Sequence, residues 1–452
     1  MLAAIPACAW LWGFSVDDAL ITARVAANIG RGLGQRFNPH GPVVDAVTPL
    51  GYAHFLALFG HGDVLACFLA ARSLGLSAWL VAAALLGALI ARAGQSRARF
   101  LPLAAIALSA PLAAWAGSGM ETGIVTLFAT LGLSGGAGGA LALGLAAAWR
   151  PELIPFAFVL VVVRARVERA APLRTLALVA LATLPSFSVA MIRLMCFGRA
   201  VPLAFYAKPS DFEHGLRYAL GGFAFTGLPW LLVARPRELG RAAPAARPLI
   251  AALAAHFFAL VLCGGDWMSL YRLLVPVLPC AALAAAYLAE RARPWANALR
   301  MSLALLCALL LAWGLGAPAR RVGAKRAALI AEARPLFARD TRIAALDVGW
   351  VGAASGADVI DLAGVTDAEV AFFPGGHTSK RVPRAWLFAH RPTAIVLLVE
   401  DKSLLGPSIA ETAFSRAVEQ RVASFVADDY RVRATLAHST QIYVVLEPKP
   451  NP

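Results

Sequence analysis

The chain has 452 residues, of which 60% are hydrophobic and only 15% charged, and it carries a formal net charge of +15. Soluble domains sit near half apolar and about a quarter charged, so an ordinary soluble fold does not describe the whole chain. The apolar excess is laid out as repeated runs broken by arginines, the pattern of a polytopic α-helical membrane protein. Those arginines sit in short loops, where topology and lipid headgroups account for them without a nucleic-acid partner.

The opening run, Met1 to Phe14, is apolar but lacks the basic start and small-residue cleavage site of a signal peptide. It is also shorter than the roughly 20 residues that a span needs. The next stretch, residues 15–62, is of a different kind. Ser15-Val16-Asp17-Asp18 reads as a capping box. Ile21, Val25 and Ile29 recur every four residues, which predicts an amphipathic helix lying at a membrane surface. Gly30, Gly32 and Gly34 end it and Asn38-Pro39 turns the chain. Residues 48–59 predict a short re-entrant or interfacial helix, interrupted by His61-Gly62-Asp63.

Apolar runs follow at 64–91, 100–116, 120–134, 140–150, 153–165, 175–197, 216–234, 248–263, 273–289 and 301–317. With the N-terminal segment they predict about 11 transmembrane helices over residues 1–317. One set of alternate loops holds Arg92, Arg97 and Arg99; Arg164, Arg166, Arg169 and Arg174; Arg235, Arg237, Arg241 and Arg247; and Arg291, Arg293 and Arg300. The positive-inside rule makes that side cytoplasmic, the N-terminus included. The 15–62 loop then faces outward, and the odd count places the C-terminus outside too. From about Arg320 the composition changes. Residues 325–338 predict a helix, and 343–348, 359–362, 394–399 and 442–446 predict buried strands, which makes residues 318–452 a soluble α/β domain.

Polar groups beside a bilayer are expensive, so a cluster of them is a functional-site hypothesis. The outward helix ends carry Gly117-Ser-Gly-Met-Glu-Thr122, Trp149-Arg-Pro-Glu152, Phe197-Gly-Arg-Ala-Val-Pro202 running on to Lys208, Gly264-Gly-Asp-Trp-Met268, and Tyr271-Arg272. Together they supply the carboxylates Asp17, Asp18, Glu121, Glu152 and Asp266 and the cations Arg24, Arg150, Lys208 and Arg272. Transfer from a phosphate-linked donor needs a carboxylate to take a proton from the attacking hydroxyl and fixed cations for the departing phosphate. Each residue also has an ordinary reading. The Asp pair can cap a helix, Arg150 and Glu152 can form a local ion pair, and Lys208 and Arg272 can reach lipid headgroups. The cysteines (Cys8, Cys67, Cys196, Cys263, Cys280 and Cys307) lie in or beside apolar runs and read as small apolar side chains. No metal-ligand spacing is present; whether a divalent cation takes part is left open.

The order of these motifs resembles a family of bacterial multi-spanning glycosyltransferases with the GT-C fold, among them a mycobacterial terminal arabinofuranosyltransferase and flagellar motor control proteins. Asp17-Asp18 through Asn38-Pro39 looks like the family's first outer loop. Ser118-Gly-Met-Glu121, Arg150-Pro-Glu152, Val201-Pro202 with Ala207-Lys208, Gly265-Asp266-Trp-Met268 with Arg272, and Val359 to Thr366 match its later motifs in order. The family's Glu-x-x-Thr-Asn-Pro-Leu-Trp run stands here as Asp45-Ala-Val-Thr48-Pro49-Leu50-Gly51. The resemblance implies an inverting transferase of the inner membrane that uses a polyprenyl-phosphate sugar as co-substrate, without another cofactor. The acceptor would be a periplasmic glycan, lipid or protein. Asp17 carries over as the base and Asp18, Lys208, Asp266 and Arg272 as site residues. A transporter, or a non-catalytic membrane scaffold of the same fold, is the alternative expectation.

Overall fold

A computed structural model of the protein describes residues 1–233, 244–438 and 441–450. Arg235, Arg237 and Arg241, the last residue of the 216–234 run, and Asn451-Pro452 lie outside them. Helix makes up 63% of the described residues, about twice the share in an average soluble protein, and a small sheet domain stands at the C-terminus. The chain packs as two units. The first is Met1–Ser15, Ala71–Ile192 and Ser210–Arg321; the second is Val16–Ala70, Arg193–Pro209 and Val322–Pro452.

The first unit is a helical bundle. Among the described residues of the whole chain, four helical stretches are long and apolar enough to cross a membrane: Val64–Ala91, Pro172–Phe197, Arg272–Ala289 and Pro294–Leu336. A fifth candidate is the pair Arg97–Ala107 and Ala110–Ala116, bent by 55°. The bend falls at Leu108-Ser109, where the Ser109 hydroxyl accepts from the Leu112 N–H and Pro111 opens the next helix. Other expected spans form shorter helices, Thr122–Gly132, Gly136–Trp149 and Ala246–Leu262. At a rise of about 1.5 Å per residue none of these bridges a hydrocarbon core alone. The alanine-rich helix Leu278–Ala289 is buried along nearly its whole length. Pro172–Phe197 instead turns apolar side chains outward, with Leu173 78% and Phe187 63% exposed. Helices meet closely at small residues: a Cβ on Gly123 would collide with the main chain of Gly75.

The second unit is built on a five-stranded sheet. Its strands are β1 (Arg342–Ala345), β2 (Asp358–Asp361), β3 (Ala394–Val399), β4 (Tyr430–His438) and β5 (Gln441–Pro448), in the order β2-β1-β3-β5-β4. β1 runs parallel to both β2 and β3, with Ile343 opposite Val359 and Ala394. β5 runs antiparallel to β3 and β4. β3, all six residues of which are buried, has the continuous apolar character of a central strand. β1 ends at Ala345 because Leu346-Asp347 leads into the helix Val348–Ala354. β4 is an edge strand with a bulge between Val432 and Ala434, and its arginines blur the alternation that would have marked it.

Within this unit the helix Asp17–Gly30 departs from expectation twice. Its N-cap position is Val16, one residue later than the Ser15 of the expected capping box. All residues from Ala19 to Asn28 are buried, so the helix is an internal element and not a surface one. Asn38 shows what the Asn-Pro turn does. Its side chain donates to the Val359 carbonyl at 2.9 Å and accepts from the Val359 N–H at 2.8 Å, pairing with the free edge of β2. Asp45 structures its loop as an ion pair with Arg193 at 2.8 Å, and Arg193 also donates to the Thr48 carbonyl.

Candidate active site

The second unit holds the Asp pair. The helix Asp17–Gly30 lies against Val348–Ala354 and serves both ends of it. Asp17 accepts from the N–H groups of Gly349 at 2.7 Å and Trp350 at 2.8 Å, satisfying donors that a first turn leaves unpaired. Two turns further on, Arg24 donates to the carbonyls of Gly352 and Ala357, each at 2.6 Å, and to that of Phe37 at 2.9 Å. An acid at the positive end of a helix and a cation at the negative end both complement its dipole. Burial pulls the Arg24 guanidinium down to about 10. The approach is close enough that a Cβ on Gly349 would strike the Asp17 main-chain oxygen. Gly349→Ala should therefore lower the stability of this unit by about 1–3 kcal/mol, read by thermal unfolding. An unchanged melting temperature would show that the two helices can part.

Asp17 stands in the crevice at the carboxyl ends of the parallel strands. The chain leaves β1 for β2 on one side and leaves β3 for β4 on the other, so the connections diverge between β1 and β3, the usual place for a ligand in an open α/β sheet. Asp347, just past β1, accepts from both terminal nitrogens of Arg416 at 2.9 and 3.0 Å and from the Tyr443 hydroxyl at 2.9 Å. Arg416 also binds Glu419, whose carboxylate accepts from the Leu398 N–H of β3 at 3.0 Å. Arg326 lies 3.8 Å from Asp17, and Lys208 lies 3.5 Å from Asp18. The side chains of Asp18 and Lys208 are 27% and 26% exposed, against 17% for Asp17. Burial pushes the Asp17 carboxyl up to about 6; Arg326 opposes the rise and Asp347 adds to it. Burial works against the Asp347 carboxylate too, but Arg416 outweighs it and holds that group below its ordinary range.

The first unit holds a second polar cluster. Arg150, in the break between Gly136–Trp149 and Ile154–Val167, pairs with Glu121 at 2.9 Å and Glu152 at 2.7 Å. All three side chains are at most 11% exposed. Arg272 pairs with Asp266 at 2.8 Å. Three carboxylates against two guanidiniums leave this cluster one negative charge in excess. Arg272 follows two residues with left-handed backbone, Leu270 at φ +61° and Tyr271 at φ +48°. Such strain persists only where the surroundings enforce it. Here the Trp115 indole donates to the Leu270 carbonyl at 3.1 Å, and the Leu273 N–H donates to the Tyr218 hydroxyl at 3.0 Å.

Asp17, Asp18 and Lys208 thus come together, as do Glu121, Arg150 and Glu152, and Asp266 with Arg272. Two of the expected phosphate-binding cations are committed inside the protein. Arg24 is 3% exposed among main-chain carbonyls, and Arg150 is held between two glutamates. Arg326, Asp347 and Arg416 were not legible as site residues, because they sit among ordinary charged positions of a soluble domain and only the topology gathers them. Among the described residues no three His, Cys, Asp or Glu side chains are grouped to hold a metal.

Residues 321–446 match the family model of a domain of unknown function (DUF8728), a segment running from the helix Val322–Leu336 into β5. No curated protein matches the chain.

Proposed function

We propose that this protein is a polytopic glycosyltransferase of the bacterial inner membrane. It moves a sugar from a polyprenyl phosphate to a periplasmic glycan, lipid or protein acceptor, with inversion. The observation that carries the reading is the Asp17–Asp18 pair beside Lys208 at the switch point of the sheet. Asp17 takes the proton of the acceptor hydroxyl. The hydroxyl oxygen forms the new bond to the anomeric carbon as the bond from that carbon to the phosphate oxygen breaks. Polyprenyl phosphate leaves with the electron pair, its charge met by Lys208. A carboxyl near 6 is ionised at neutral pH and is still a competent proton acceptor. Each Asp17 oxygen spends one lone-pair direction on a main-chain N–H, which fixes its orientation and leaves another for the substrate.

The membrane assignment rests on the long apolar helices and on the outward leucines and phenylalanine of Pro172–Phe197, a surface that suits lipid better than water. In this reading the arginine-rich loops are cytoplasmic and the sheet domain periplasmic. About 11 crossings require the shorter apolar helices to cross as parts of broken spans or with local thinning of the bilayer.

The test is transfer by the purified protein in lipid nanodiscs, offered a panel of radiolabelled polyprenyl-phosphate sugars and a cell-envelope extract as acceptor. Label should move into the acceptor from at least one donor. Failure with every donor removes the enzymatic reading. The buried, net-negative cluster of the first unit favours a transporter as the second reading. Solute flux in proteoliposomes, abolished by Glu121→Gln and without sugar transfer, would establish that instead.

A further inference from the structure

Asp17 is not the only partly buried carboxylate at the carboxyl end of β1, since Asp347 occupies the same crevice. Two carboxylates in one water-poor site hold full charge only with counter-charges. Asp347 has its own in Arg416, with a hydrogen bond from the Tyr443 hydroxyl beside it; Arg416 is shared further with Glu419, and Arg326 acts on Asp347 less than Arg416 does. Besides Asp347 and the Tyr443 hydroxyl of β5, three helices face Asp17. Its own helix brings Asp18, paired with Lys208. The helix Val348–Ala354 brings two uncharged N–H donors. The helix Val322–Leu336 brings the Arg326 guanidinium, its Nε 3.8 Å from Oδ1. Arg326 is therefore the cation set against the charge of Asp17.

We propose that Arg326 is a positioning residue for Asp17, holding its carboxylate ionised beside Asp347 so that it can accept a proton. The inference rests on the glycosyltransferase reading only for the use to which that proton transfer is put. Arg326 does not touch substrate in this scheme; it acts through Asp17. An opposite charge within about 4–6 Å lowers a carboxyl by about 1–3 pH units, so its removal should raise Asp17 by a similar amount.

The experiment is a carbon-13 NMR titration of the aspartate carboxyl carbons in the full chain, with Asp17→Asn identifying the Asp17 resonance. Arg326→Gln should raise the Asp17 midpoint by about 1–3 pH units, and Arg326→Lys, which keeps a charge on a differently shaped head, by less. In the transfer assay the acid limb of the rate should move with the midpoint. A merely structural arginine would change the melting temperature and leave both midpoints in place. Midpoints equal to wild type in both variants overturn the proposal, and the lysine variant decides if the glutamine variant does not fold. Shifted midpoints in a protein that transfers no sugar uphold the role of Arg326 and overturn the glycosyltransferase reading alone.

Discussion

Asp17→Asn should lower sugar transfer by about 10²–10⁴-fold, the usual contribution of a positioned general base. The substitution has a second effect that the measurement must separate. A carboxamide keeps one acceptor oxygen, so either the Gly349 or the Trp350 N–H loses its partner, at about 1–3 kcal/mol. Transfer is therefore compared well below the melting temperature of the variant. Asp18→Asn is the control. It should act through Lys208 and reduce transfer by a smaller factor. Wild-type transfer by folded Asp17→Asn, with loss in Asp18→Asn, would move the base to Asp18.

The pH dependence of stability gives an independent readout. The folded value of Asp17, about 6, lies above the value of about 3.9 for an unfolded aspartate. The folded state thus binds this proton more tightly. The stability it contributes is full below about pH 4 and is lost as pH rises through about 6, a difference of about 3 kcal/mol. Asp361, which is fully buried, is also raised by burial to about 6 and acts with the same sign. The wild-type curve should fall between pH 4 and 6. In Asp17→Asn the fall should be smaller, leaving the part that comes from Asp361 and from Asp45 and Glu419, which burial also raises. An unchanged fall would show that Asp17 is not the group that titrates.

Arg150→Ala should destabilise the first unit by about 3–5 kcal/mol, because it leaves Glu121 and Glu152 buried with their counter-charge removed. The loss should appear as a lower thermal midpoint in detergent and as earlier proteolysis of the bundle. Most of that cost belongs to the stranded carboxylates and not to the lost attraction. Glu121→Gln in the Arg150→Ala background should therefore recover part of it. Additive losses in the double variant, or a single-variant loss below about 1 kcal/mol, would place the glutamates in contact with water.

The helical bundle and the small sheet domain were legible from apolar runs and from short buried strands such as Ala394–Val399. Lys208 was legible as a partner of the Asp pair through its motif, although nothing in its spacing identifies Asp18 as the residue it meets. The opening loop was misread in kind. Ile21, Val25 and Ile29 mark one apolar face, but the opposite face is buried as well, because Arg24 and Asn28 find main-chain acceptors from distant and neighbouring segments. Periodicity reports which face is apolar; it does not report that a polar face has been fully satisfied inside a protein. Arg416 and Asp347 could not be paired from sequence either, since they meet only after the β-strands are in register.

Asn38, Arg24 and Asp17 bond to residues 321 to 333 positions later in the chain. Their partners are synthesised long after them. Closing a flexible loop of that length costs on the order of 5 kcal/mol in chain entropy, so these contacts are late events in folding. Until β2 has left the ribosome, the segment that becomes Asp17–Gly30 has neither a helix to cap nor a strand edge to cover. A chain cut short before residue 348 would therefore lose the structure of a loop that lies wholly within the part it retains.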